Sequence, residues 1–157
     1  PDELTAKMKS FHDGLKPLAD LAEQHNSWLA IENHGNSLLD SPDSFKAFVD
    51  LNPHPRVGIA LAPYHVQAGG ASVEEAIRIA GRQLLFFYAW QKQEELNQLP
   101  GHGPTDFQPW LAALAEVNYR WFVNPFMHGR VEPAALAAAL AKSRDYLREK
   151  AQPAWTV

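Results

Sequence analysis

The sequence predicts an α/β protein built on a parallel sheet, and three observations predict it. Segments with apolar residues every three or four positions alternate with four short apolar runs. Those runs are continuous, as in strands covered on both faces, and do not alternate polar with apolar. Each run also ends in polar side chains, at the place where parallel α/β sheets bind ligands.

The elements follow in order. Leu4, Met8, Phe11, Leu15, Leu18 and Leu21 mark an amphipathic helix, with Pro17 as a candidate kink. "SWLAIE" reads as the first strand. "SPDSFKAFVDL" opens a helix with Ser41 as N-cap and Pro42 at its first position, burying Phe45, Phe48 and Val49. "LNPHPR" breaks the chain, and "VGIALAPY" is the second strand. "ASVEEAIRIAGR" starts with a capping box of Ser72 and Glu75. "LLFFYAWQ" is the third strand, followed by a polar loop carrying "PGHGPTD". "DFQPWLAALAEV" is a helix with Asp106 as its N-cap and Phe107, Trp110, Leu111 and Leu114 inward; "RWFVNPF" is the fourth strand. "EPAALAAALAKSRDYLREK" is the last helix, ended by Gln152 and Pro153. The strands are expected near 28–32, 57–62, 84–89 and 121–124, parallel and adjacent in that order.

With 157 residues, 46% of them hydrophobic, the chain has material for one domain with a real core, covering 1–157. It shows no tandem repeat, low-complexity tract or linker. Net charge is −4 and the Lys and Arg residues are scattered, which argues against a nucleic-acid surface. No cysteine is present, so disulfides and thiolate metal sites are excluded. No apolar run approaches the roughly 20 residues of a membrane span, and no signal peptide is visible. A cytoplasmic location without membrane contact is the expectation. Pro1 in place of Met suggests a processed product or a fragment.

The polar strand ends define the candidate site. The first strand ends in Glu32, Asn33 and His34; the second in Tyr64 and His65; the third in Tyr88, Trp90 and Gln91; the fourth in Asn124, followed by His128. On a curled parallel sheet these groups converge on one pocket. Glu32 is either a ligand and base or a carboxylate paired with a neighbour. His34, His65 and His128 either bind hydroxyl groups or pack as amphipathic loop residues. Trp90 either stacks on a ring or fills the barrel. His102 and Asp106 are candidates for positioning a substrate, though Asp106 fits better as a cap. "GHG" lacks the Lys and the context of a phosphate loop.

The order "LAIENHG … VGIALAPYH … LLFFYAWQ … PGHGPTDF … WFVNPFMHG" resembles the C-terminal half of a xylose isomerase-like barrel, the superfamily of sugar isomerases, sugar-phosphate epimerases and endonuclease IV. The resemblance runs from about Leu29 to Leu147 and includes a "GxGxxD" motif. It implies a (β/α)8 barrel of TIM type, of which this chain supplies four βα units preceded by a helix. It also implies a divalent-metal site, Mn, Mg or Zn, held by Glu, then Asp-x-x-His, then His, then Glu. Glu32 matches the first carboxylate and His65 the substrate-side histidine. The other metal positions carry Ala62, Phe86 and Asn124, a degenerate site.

Two functions follow from the resemblance and the residues. One is a sugar or sugar-phosphate isomerase or epimerase, with Glu32 and His65 central and His34, Tyr64, Tyr88, Trp90, Gln91, Asn124 and His128 binding substrate. The other is a non-catalytic barrel that binds a carbohydrate-like ligand or serves as a structural domain. A (β/α)8 barrel takes about 250 residues, so either an N-terminal half-barrel of a longer chain or a second copy is expected to close it.

Overall fold

The computed structural model describes residues 2–152. Pro1 and Pro153, with what each suggested about the chain ends, lie outside the described residues. The elements run α1 (Asp2–Gln24), β1 (Leu29–Glu32), α2 (Pro42–Leu51), β2 (Val57–Leu61), α3 (Pro63–Ala68), α4 (Val73–Ala80), β3 (Leu84–Ala89), α5 (Gln108–Glu116), β4 (Val123–Pro125) and α6 (Pro133–Ala151). Short 3-10 turns occupy Gly81–Gln83 and Glu95–Gln98.

The four strands form one sheet in the order β1-β2-β3-β4, all parallel, as the apolar runs predicted. This is a partial barrel: among the described residues there are four strands and six helices, and β1 and β4 are open edges. The helices α1, α2, α4 and α5 pack against one another in turn along one face, with α6 on α5. Under them Val57, Ile59, Leu61, Leu84 and Phe87 meet Met8, Phe45, Phe48, Ile77, Phe107 and Leu111. Each such side chain, fully buried, is worth about 1.5–3 kcal/mol.

The opposite face is only partly covered. β2 is buried along its whole length, but in β1 Ala30 and Glu32 are exposed while Leu29 and Ile31 tuck under the helices. The expectation of strands buried on both faces therefore holds in the middle of the sheet and fails at its edge. Between β2 and β3 the register slips: Ile59 pairs with Leu84, yet Ala60 pairs with Phe86. The extra residue, Leu85, packs over Gly58, where a Cβ would come within 2.7 Å of the leucine Cγ. A bulge of this kind bends the strand and re-aims the side chains beyond it. Here it sets Phe86 and Tyr88 on the open face.

Several boundaries differ from the sequence reading. Pro17 lies inside a continuous α1, on its exposed side, where the carbonyl that loses its partner can bond to water. β2 stops at Leu61, and Tyr64 and His65 belong to the six-residue helix α3, begun by Pro63 at its first turn. β3 stops at Ala89, so Trp90 and Gln91 are loop residues. β4 is three residues long and ends at Pro125, which has no N–H to donate and is tolerated on an edge. Ser41 caps α2 as predicted, in a capping box with Ser44. At α4 only half of the predicted box forms: Ser72 accepts from the Glu75 backbone N–H, while its hydroxyl donates to Glu74. The N-cap of α5 is Phe107 and not Asp106, whose carboxylate accepts from the Gln108 N–H at 3.1 Å.

Candidate functional site

A cleft of about 450 Å³ opens at the carboxyl ends of the strands. Glu32 and His34 enter it from the end of β1, Tyr64 and His65 from α3, Trp90 from the end of β3 and His128 from the segment after β4. Six residues singled out in the sequence thus share one cavity.

The loop after β1 is set by Asn33. Its side-chain oxygen accepts from the Ala62 N–H at 2.6 Å and its amide donates to the Ala62 carbonyl at 3.2 Å. The buried amide extends the β1–β2 ladder past the last strand residue and places His34 beside α3. His34 Nδ1 donates to the Gly35 carbonyl at 3.0 Å. The His34 and His65 rings lie 4.1 Å apart. Burial, and then the neighbouring His34, push the His65 imidazole below its ordinary range; Glu32 opposes this and His128 adds to it. His65 is therefore a neutral imidazole at pH 7.

Glu32 is held from the far side. The Tyr88 hydroxyl donates to Glu32 Oε2 at 3.1 Å. Burial raises the Tyr88 pKa, and the Glu32 charge and this hydrogen bond raise it further. The floor is aromatic. Trp90 is 3% exposed, stacks on Tyr64 at 4.5 Å, and meets Phe126 and His128 edge-on at 5.0 Å. Gln98 fixes this floor: its oxygen accepts from the Trp90 indole N–H at 2.7 Å and its amide donates to the His128 carbonyl at 2.8 Å.

Not every candidate is at the cleft. Gln91, read as substrate-binding, is fully buried; its amide donates to the Leu99 carbonyl at 3.0 Å and its oxygen accepts from the Thr105 N–H at 2.9 Å. Both ends are spent on the loop, so it has nothing to offer a ligand. Asn124 sits on the open face in register with Tyr88, but its amide donates to the Phe122 carbonyl and it does not line the cleft. His102 donates to the Ala139 carbonyl of α6 at 3.1 Å. Asp106 faces Lys150 of the same helix at 3.3 Å. These two anchor α6 and are not placed to position a substrate. Conversely, Gln98, Glu94 and Glu95 line the cleft and were not picked out in the sequence. They sit in a polar loop without periodicity, and only the fold brings them to Trp90.

The metal positions can be tested on these side chains. Ala62 is buried, Phe86 packs on Tyr88 at 4.7 Å, and Asn124 is occupied as described. Among the described residues no group of three or more His, Asp or Glu side chains is placed to hold one ion. Divalent cations want several oxygen or imidazole ligands; this donor set does not fit one.

The geometry is that of a parallel α/β half-barrel with a cleft at the carboxyl rim of its sheet. Residues 1–150 match the xylose isomerase-like TIM barrel family, and the chain belongs to it. It is 24% identical over 121 residues to an inosose isomerase of Bacillus subtilis (strain 168), covering 71% of this chain and 44% of that protein. D-psicose 3-epimerase from Clostridium cellulolyticum H10 superposes with a TM-score of 0.75 at 22% identity, over 89% of this chain and 55% of that one. The E. coli 3-keto-D-glucoside 4-epimerase does so with a TM-score of 0.72 at 20% identity, over 90% and 55%. The chain spans about half the length of these relatives.

Proposed function

We propose that the cleft binds a carbohydrate-like ligand and supports proton transfer at a carbon beside its carbonyl, as in a sugar isomerase or epimerase. The observation that carries this reading is that Glu32 and His65 face one aromatic-floored cleft in a chain of this family. Relatives named as an inosose isomerase and as sugar epimerases support it.

Glu32, oriented by the Tyr88 hydroxyl, accepts the proton from carbon. Neutral His65 donates a hydrogen bond to the carbonyl oxygen, where negative charge develops. Return of the proton from Glu32 to the adjacent carbon isomerises the sugar; a proton delivered by water to the same carbon on its other face, with the first proton left on Glu32 and lost to solvent, epimerises it. No step uses a metal, because the site is read as degenerate at Ala62, Phe86 and Asn124. His34, Tyr64, Trp90 and His128 shape the pocket around the ring, with Tyr64, backed by the buried Trp90, as its aromatic surface. A second half-barrel, whether part of a longer chain or a second copy, covers the open face.

Incubation of the purified protein with a ketose in D2O tests this. Deuterium enters the carbon beside the carbonyl, and Glu32→Gln abolishes the incorporation. Binding without exchange would favour the non-catalytic alternative. Stoichiometric Mn, Mg or Zn in the purified protein would refute the degenerate site.

A further inference from the structure

We infer that Asn33 is a positioning residue for this site: its buried amide ties the strand end that carries Glu32 to the carbonyl from which the His65 helix starts, and so sets the spacing of the two. The inference rests on the proton-transfer reading above and gives a role to a residue which that reading leaves unused.

Asn33 does not meet a ligand. It is 1% exposed, and both ends of its amide are spent on Ala62, the oxygen on the N–H and the nitrogen on the carbonyl. Only one orientation of the amide pairs donor with acceptor at both ends. Its own backbone N–H donates to the Ala60 carbonyl at 3.3 Å. Asn33 thus joins β1 to β2 by main chain and side chain together, just past the pair of Glu32 with Ala60.

Ala62 is also the N-cap of α3, and it offers no capping side chain. Its carbonyl accepts from the His65 N–H at 3.1 Å as well as from Asn33 Nδ2. One oxygen is therefore shared by the amide next to Glu32 and the main chain of His65. A helix of six residues is too short to hold itself, so its first turn takes its place from what grips its start. The chain after Asn33 reaches the same histidine from the other side. The His34 ring lies 4.1 Å from that of His65, and a Cβ on Gly35 would stand 3.9 Å from His65 Nδ1. Both the backbone of His65 and the surface its ring rests on are thus fixed by one side chain. That precision matters to a proton transfer, since a misplacement of about 1 Å can cost about a hundredfold in rate.

Gln91 supplies the control. It too is a buried amide at the rim with both ends spent on backbone groups, but its partners Leu99 and Thr105 belong to the loop after β3. Asn33→Ala and Gln91→Ala, each in the whole chain, are compared by two readouts. The first is deuterium exchange into a ketose: Asn33→Ala lowers kcat by about tenfold or more with KM changed by less than about threefold. Gln91→Ala keeps both constants, at a lowered denaturation midpoint. The second readout needs no substrate. A nuclear Overhauser contact between the His34 and His65 rings is expected in the wild type and in Gln91→Ala, and is weakened or lost in Asn33→Ala. Where Asn33→Ala does not fold, Asn33→Asp replaces it, keeping the shape and the acceptor while losing the donor. In the wild type itself, the Asn33 carboxamide protons exchange slowly with solvent; exchange as fast as that of an exposed glutamine overturns the inference without any variant. A ring contact that survives in Asn33→Ala, or is lost equally in Gln91→Ala, also overturns it and leaves the proton-transfer reading standing. A wild type that exchanges no deuterium overturns that reading, while the ring contact still decides whether Asn33 holds His65.

Discussion

The phenol of Tyr88 on β3 crosses β2 to reach the carboxylate of Glu32 on β1, 3.1 Å from its Oε2. The register makes this possible. Ala60 lies beside Glu32 on one side and Phe86 on the other, so only a methyl group stands between two strands that are not paired with each other. A tyrosine two residues past Phe86 then spans the gap. Tyr88→Phe removes a hydrogen bond to a charged group, worth about 1.5–3 kcal/mol. We expect proton exchange to slow by tenfold or more while the fold persists. Retention of full exchange by this variant would remove Tyr88 from the mechanism.

The same contact acts on the titration of Tyr88. Burial and the Glu32 charge raise the Tyr88 pKa above the ordinary 10.0, so the phenol keeps its proton, and its bond to Glu32, into more alkaline solution than a free tyrosine would. Ultraviolet titration of Glu32→Gln should bring this transition down toward 10.0 but not all the way, because burial remains and is the larger cause. An unmoved transition would mean that Glu32 does not act on it.

Stability should fall in acid through His12. This histidine of α1 is 1% exposed; Nε2 donates to the Phe48 carbonyl at 3.0 Å, and Nδ1 has no partner among the described residues. Burial lowers its pKa; the Phe48 bond opposes this, His54 adds a smaller lowering effect, and Asp13 a still smaller raising one. Above the ordinary value of 6.5 both folded and unfolded chains are neutral here, and full stability is present. As the pH falls below that, the unfolded chain takes the proton first, and stability is lost down to the folded-state pKa. Urea unfolding at a series of pH values should show this acid limb. It should be shallower in His12→Gln, which keeps a donor for Phe48 without an imidazole to titrate. Identical limbs in the two proteins would clear His12 of the effect.

Gln91 should matter to the fold and not to the ligand. Gln91→Ala leaves the buried Leu99 carbonyl and the half-buried Thr105 N–H without the partner each has now. A loss of about 1–3 kcal/mol per unsatisfied group is the expected scale, read as a lower denaturation midpoint. A wild-type midpoint would contradict the structural role given to it here.

The open face makes a prediction about association. Phe122 is 81% exposed, and Trp28 meets Trp121 edge-on at 5.5 Å across the foot of the sheet, with the Arg56 guanidinium over Trp28 at 4.9 Å. Apolar surface of this kind is uncommon on a stable monomer. Light scattering of the 157-residue chain at micromolar concentration should show association, weakened by Phe122→Glu. A cooperative monomer would contradict the covering half-barrel.

The strands and most helices were legible because their signals are local. "VGIAL" is apolar on both faces because it is the inner strand with cover on both sides, and Ser41 with Pro42 announces a helix in adjacent letters. The short helix α3 was not legible: six residues hold less than two turns, too few for a period, and its N-cap Ala62 has no capping side chain. In the site, Glu32, His34, Tyr64, His65, Trp90 and His128 could be placed because strand ends converge by topology alone. Gln91 misled because a polar residue at a strand end looks the same whether it faces a ligand or staples a loop. Gln98 escaped notice because its partners, Trp90 and His128, lie 8 and 30 residues away, a relation no short window contains.

The strand order β1-β2-β3-β4 has a consequence for how this domain responds to damage. Each strand-and-helix unit rests chiefly on the units just before and after it in the chain, as in a stack of repeats, and no connection passes over another to reach a distant partner. In such an array stability adds from unit to unit, and a fault stays near where it arises. Loosening α6 should fray the structure from that end toward α5 before it reaches α1. Hydrogen exchange would then show protection graded along the chain, deepest at β2 and β3, in place of a single threshold at which every amide opens together.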